Sequence, residues 1–153
     1  MKKDNIDIYF DIQDQDHSIM TRWLKGHLFI EHFLRLNILH QQPQLCDFIS
    51  ELNFHKIVKL AEGLGCIDSK QAITILEINK IRNRFAHNYE YSINTEEFLN
   101  IVIKARDCFS DFTDGLEQIL GEINDKTTLE NCDDWICIEF FLQILYDLDN
   151  NID

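Results

Sequence analysis

A chain of 153 residues with one proline, Pro43, and only five glycines has little with which to make tight turns. Strands folded into hairpins need Gly, Pro or Asn-Gly steps at frequent intervals. Here the apolar residues recur mostly at spacings of three and four, the period of helices that bury one face, rather than at the spacing of two expected of half-buried strands. The expected fold is therefore all-α, a single domain over residues 1–153, with no linker and no internal repeat. Apolar residues make up 45% of the chain and Phe alone contributes eleven, which is enough to build a core despite a formal charge of -13.

From His17 to about His40 the apolar positions Ile19, Met20, Trp23, Leu24, Leu28, Phe29, Ile30, Phe33, Leu34 and Leu36 are too dense for one narrow stripe, so this helix should be long, central and widely buried. A short helical turn is expected around Pro43–Ile49, then a helix capped by Asn53 and ended by Gly63 and Gly65. Asp68 or Ser69 should cap a helix running to about His87, with Ile75, Ile78, Ile81 and Phe85 as its buried stripe. Thr95 is the expected cap of a helix from Glu96 to near Gly121, with Phe98, Ile101, Val102, Ala105, Phe109, Phe112, Leu116 and Leu120 facing the core. Asp133 or Asp134 opens a last helix through Trp135, Ile138, Phe141, Leu142, Leu145 and Leu148. The simplest assembly is an antiparallel bundle of four main helices with shorter pieces at the ends, residues 125–153 forming an acidic helical extension.

No stretch is long and apolar enough for a membrane span and no hydrophobic leader follows Met1, so a cytoplasmic protein is expected. Cys46, Cys66, Cys108, Cys132 and Cys137 are odd in number and form no Cys-x-x-Cys pair. They read as small buried hydrophobes, neither a disulfide framework nor a zinc site. Charge is unevenly spread. Residues 1–106 hold 13 Lys and Arg against 14 acids, whereas residues 107–153 hold Lys126 alone against 13. Residues 53–88 reverse the balance, with Lys56, Lys59, Lys70, Lys80, Arg82 and Arg84 against Glu62, Asp68 and Glu77, and a polyanion would be met here.

That basic segment ends in Arg82-Asn83-Arg84-Phe85-Ala86-His87. Asn83 and His87, four apart, lie on one helix face just as the helix ends, and the long stem of Arg82 should let its guanidinium swing towards His87. An imidazole that exchanges protons near neutrality, a permanent forked cation and an orienting amide suit metal-free cleavage of an RNA phosphodiester. Arg84 and Lys80 are candidate phosphate contacts, and Tyr89 and Tyr91 candidate stacking partners for a base. The same residues have a plainer reading, because Arg and His near a helix C-terminus favour its dipole and cap free carbonyls. Spacing does not choose between the two.

The hexapeptide resembles the signature of HEPN domains, four- or five-helix bundles carrying Arg, a polar residue, three or so residues, then His at the end of a core helix. Arg82, Asn83 and His87 match those positions. The wider stretch, Lys59-Leu60-Ala61-Glu62-Gly63-Leu64-Gly65 followed by Glu77 to His87, is similar more particularly to the mannitol operon repressor-like family, with a looser likeness back to Trp23-Leu24-Lys25-Gly26-His27. The resemblance covers roughly residues 18–110. It implies a homodimer in which two motifs face each other across a two-fold axis, and a metal-independent endoribonuclease without cofactors, of the kind that serves as the toxin of a toxin–antitoxin or phage-defence system. Catalysis would then fall to Arg82, Asn83 and His87. The mannitol operon repressor-like likeness implies instead a transcriptional regulator working through protein contacts. No basic recognition helix is evident, and the acidity argues against direct DNA binding.

Other histidines carry weaker signals. His27 and Glu31, one turn apart, offer an acid/base or metal pair with His32 alongside. His17, His40 and His55 fall near element ends and suit local hydrogen bonds.

Overall fold

The computed structural model describes residues 4–14, 18–123, 129 and 135–152, which contain eight α-helices and no strand. These are α1 (Asn5–Gln13), α2 (Ile19–Gln41), α3 (Cys46–Ser50, preceded by a 3-10 turn over Pro43–Leu45), α4 (Phe54–Gly63), α5 (Ser69–His87), α6 (Thr95–Cys108), α7 (Gly115–Glu122) and α8 (Trp135–Asn150). None of them is long and apolar enough to cross a membrane. Buried side chains from all eight join in one hydrophobic cluster.

Besides α1, where Asp4 accepts from Ile6 N at 3.2 Å, four of these helices start where a short polar side chain takes a free backbone N–H. Ser18 accepts from Thr21 N at 3.2 Å, Asn53 from Lys56 N at 3.0 Å, Asp68 from Gln71 N at 2.8 Å and Asn94 from Glu97 N at 2.8 Å. At α5 the cap is reciprocal, since the Gln71 side chain accepts from the Asp68 N–H. Asn53 and Asp68 sit where the sequence places them. At α6 the cap is Asn94, with Thr95 as the first helical residue. The expected caps of α8, Asp133 and Asp134, lie outside the described residues.

α2 is the axis of the fold, with Trp23, Ile30, Phe33, Leu34 and Ile38 fully buried. Its most extensive neighbour is α8. Gly26 permits that closeness, because a Cβ there would land on the Phe141 ring. Around it Trp23 stacks on Phe140 at 5.5 Å, meets Phe141 edge-on at 5.1 Å and donates its indole N–H to the Ile78 carbonyl at 3.2 Å. Eleven residues further on, the buried Asn37 amide donates to the Phe33 and Leu148 carbonyls, both at 2.8 Å. α2 and α8 therefore run in the same sense. So does α4, which begins at His27, where the Phe54 and imidazole ring centroids are 4.1 Å apart, and ends just before Cys66, whose carbonyl accepts from Asn151 at the far end of α8.

α5 runs the other way and joins the two ends of the bundle. It starts beside the end of α6, where Gln71 donates to the Cys108 carbonyl at 3.1 Å, and finishes beside the start of α6, where Arg84 meets Glu97 at 2.5 Å. Nineteen residues at 1.5 Å each separate those ends by about 28 Å. Ile75, Ile78, Ile81 and Phe85 are its buried stripe, as their spacing predicts.

The continuous helix expected from Glu96 to near Gly121 is two helices. Phe109 and Leu116 are buried as expected, but Phe112 is 68% exposed. The break is built by aspartates. Asp111 and Asp114 adopt left-handed backbone, φ 49° and 57°, at a cost of about 1–2 kcal/mol each for a residue with a Cβ. Offsetting this, the Asp111 carboxylate accepts the Leu116 and Glu117 N–H groups at 2.7 and 3.1 Å, starting α7. Asp147 of α8 accepts both the N–H and the hydroxyl of Ser110.

Of the cysteines, Cys66 and Cys137 are buried and Cys108 is partly so; burial raises all three thiols, Cys137 to about 12. Cys46 is exposed, contrary to the buried reading, and Cys132 lies outside the described residues.

Candidate functional site

α5 ends at His87 because Asn88 turns to extended backbone, φ -137° and ψ 102°, and its side chain accepts the Glu90 N–H at 3.0 Å, an Asx turn that competes with another helical residue. Nothing in the next turn covers His87. Its imidazole is exposed and makes no hydrogen bond or ion pair among the described residues.

One turn back, Asn83 is half-buried and its side-chain carbonyl accepts from Arg82 Nη1 at 3.1 Å. Arg82 makes no hydrogen bond to His87, towards which its reach alone would let it swing, and it lies near enough to His27 of α2 for its charge to act there, its place on the circumference bordering the buried stripe. No carboxylate pairs with its guanidinium among the described residues. The Arg82–Asn83 unit and His87 thus share the end of α5 without touching.

His27 is 3% exposed, with Nε2 and Asn79 Oδ1 2.9 Å apart. The amide oxygen only accepts, so Nε2 carries the hydrogen and Nδ1 is bare and buried, without a partner. Burial drives this imidazole down to about 4; the Asn79 bond opposes the shift and the Arg82 cation adds to it. His27 is a neutral core residue. Glu31, its expected partner, instead pairs with Arg35 at 2.8 Å, and no group of three His, Cys, Asp or Glu side chains able to hold a metal occurs among the described residues. His40 and His55 are exposed and form none of the expected local hydrogen bonds among the described residues, outside which His17 lies.

Arg84 and Tyr91, the other outlying candidates, are brought together away from His87, on the α6 side. Arg84 pairs with Glu97, and its guanidinium carbon lies 5.1 Å from the centre of the Tyr91 ring. Tyr91 O–H donates to the other Glu97 oxygen at 2.9 Å and its ring packs edge-on against Phe85 at 4.8 Å. Burial and the Glu97 carboxylate push the Tyr91 hydroxyl up to about 12. The cluster fastens the Asn88–Asn94 connection to α6. The sequence carries its signal in Glu97, an acid in the first turn of α6, though nothing local says that Arg84 reaches it.

Lys80 is exposed on a groove between α5 and α6 that also contains Glu77, Lys104 and Asn100, and Lys104 is held by Glu77 at 2.7 Å. Tyr89, 93% exposed, stands free just past the helix end. Of the seven candidates, Arg82, Asn83, His87 and Tyr89 are thus open at one end of the bundle, Lys80 faces the groove, and Arg84 and Tyr91 are engaged. An exposed imidazole and a guanidinium with no counter-carboxylate among the described residues can exchange a proton and hold an anionic oxygen. Set against protein-family models, curated protein sequences and solved structures, the chain matches none of them.

Proposed function

We propose that the protein is a metal-independent endoribonuclease, with His87 as general acid/base, Arg82 as phosphate clamp and Asn83 as the group that orients it. The observation that carries this reading is the exposed and unengaged His87, one turn beyond a guanidinium held by an amide and not by an acid. Such a cation keeps its full charge for a ligand.

In the reaction the 2'-hydroxyl loses its proton to an imidazole and attacks phosphorus. The bond to the 5'-oxygen breaks, that oxygen takes a proton, and a 2',3'-cyclic phosphate and a 5'-hydroxyl result. Arg82 steadies the charge on the non-bridging oxygens. One imidazole cannot serve both proton transfers at once. A homodimer that brings two α5 ends together supplies the second, which fits a His87 left uncovered in a single chain. Tyr89 is the stacking residue in this scheme and Lys80 a phosphate contact, while Arg84 and Tyr91 join it only by leaving Glu97. A toxin held in check by an antitoxin is the setting this activity suits.

A second reading, a regulator that works by protein contact, draws on the Arg84–Glu97–Tyr91 cluster, which takes one cation and one aromatic ring out of reach of a nucleic acid. The deciding experiment is cleavage of labelled mixed-sequence RNA in EDTA by the wild type and by His87→Ala, with fold and oligomeric state checked for both. Cleavage by the wild type alone, leaving 2',3'-cyclic ends, supports the nuclease. No cleavage by either folded protein removes it and leaves the regulator.

A further inference from the structure

The end of the bundle opposite His87 carries a different arrangement. The short connection between α6 and α7 is fixed along its length. Ser110 gives its N–H and hydroxyl to Asp147, at 2.8 and 3.2 Å, and the Thr113 N–H donates to Gln143 Oε1 at 3.3 Å. Two left-handed aspartates, Asp111 and Asp114, frame the turn. What this fixed loop presents is Phe112, 68% exposed, with its ring 6.1 Å from that of Tyr146 on α8. A mobile loop could fold such a side chain under itself, but one held from both sides by α8 keeps it in water.

The surroundings are acidic. Glu139 and Asp147, two turns apart on α8, bond to Thr113 and Ser110 on either side of Phe112. Beside Ser110 opens a groove lined by Asp68, Asp147, Asn150 and Asn151, with no Lys, Arg or His among its lining residues. Of the nearby cations, Arg106 is shared between Asp107 and Glu117, and Lys70, two residues past Asp68, lines the neighbouring groove that also holds Asp107. Residues 107–153 as a whole hold 13 acids and only Lys126.

We propose that this end of the molecule is a docking surface for a basic segment of another protein, one that sets an Arg or Lys next to an apolar side chain. The aromatic pair accepts the aliphatic stem and the face of a guanidinium, and the carboxylate-lined groove takes its charge. Charge complementarity selects this occupant and repels a nucleic acid. The inference is independent of what His87 does, since the two ends lie about 28 Å apart along α5.

The test uses the full chain, labelled with 15N, titrated with a capped Gly-Arg-Leu-Gly-Arg-Leu-Gly peptide, and with the same peptide carrying Glu for Arg. The proposal expects amide shifts centred on Ser110, Phe112, Thr113, Tyr146 and Asp147 with the Arg peptide only, weakened about ten-fold in Phe112→Ala, whose exposed ring is not needed for folding. Shifts that are absent, that map elsewhere, or that survive Phe112→Ala unchanged overturn it. Sedimentation showing a wild-type oligomer that Phe112→Ala dissociates also overturns it, by assigning the face to a second copy.

Discussion

The two ends of α5 handle their polar groups in opposite ways. At the Asp68 end the polar groups build structure: Asp68 and Gln71 cap each other, Gln71 also ties α6, Asp111 starts α7, and Asp147 holds Ser110. At the His87 end they are left over. His87 bonds to nothing among the described residues, Arg82 has only the Asn83 amide, and the Nδ1 of His27 is bare inside the protein. A polar side chain whose bonds are spent within the fold is a structural part. One that the fold leaves unsatisfied either costs stability or serves something outside the chain. Substitutions of these bonded polar groups at the first end should therefore lower stability, whereas those at the exposed edge of the second should, on the proposed function, lower only activity.

The largest effect expected on this contrast is at His87. Replacing it with Ala should lower RNA cleavage by about 100-fold or more, the usual worth of a general acid/base, while the unfolding free energy stays within about 0.5 kcal/mol. Cleavage kinetics beside urea melts will show this, and a large loss of stability would break the contrast.

His27 tests the interior of the same end through pH. Its imidazole takes a proton near 6.5 when unfolded but only near 4 when folded, so between those values the unfolded chain binds more protons. The contribution is therefore whole above pH 6.5, shrinks as pH falls and is gone by about 4, on the order of 3 kcal/mol in all. Urea midpoints from pH 7 to 4 should fall more steeply for the wild type than for His27→Gln, and parallel curves would mean that His27 is not held neutral.

At the other end, Asp111→Ala should cost about 2 kcal/mol, because it strands the N–H groups of Leu116 and Glu117 at the start of α7 and leaves the left-handed turn without its bonds. Cleavage should be untouched when assayed well below the melting temperature. The smallest effect is at Glu97→Gln. Its ion pair with the half-exposed Arg84 is worth under about 1 kcal/mol, so stability should barely move. The informative readout is the KM for RNA, which falls if a released Arg84 joins the site and stays put if the cluster is only a fastener.

Most of this architecture is legible in the sequence, because helices announce themselves locally. Asn53 and Asp68 mark the starts of α4 and α5, and Ile75, Ile78, Ile81 and Phe85 mark the buried stripe. The break between α6 and α7 is not legible, since Phe109, Phe112 and Leu116 continue a helical period, and although Asp111 and Asp114 stand in the turn, the groups that hold it from outside, Gln143 and Asp147, lie thirty and more residues away. The same holds at the candidate site. Spacing places Asn83 and His87 on one edge, but that Arg82 borders α2, that Glu97 takes Arg84 and that His27 answers Asn79 are facts of packing between helices.

The pairing of α2 with α8 at Gly26 and Phe141 joins residues more than a hundred positions apart. During synthesis, Trp23 leaves the ribosome long before Phe140 and Phe141, the α8 rings that pack on it. Until α8 has been made, the end of α5 has no finished core to stand on. If the chain cuts RNA as proposed, this would set a timer, with the activity gained only after the message encoding it has been read past α8.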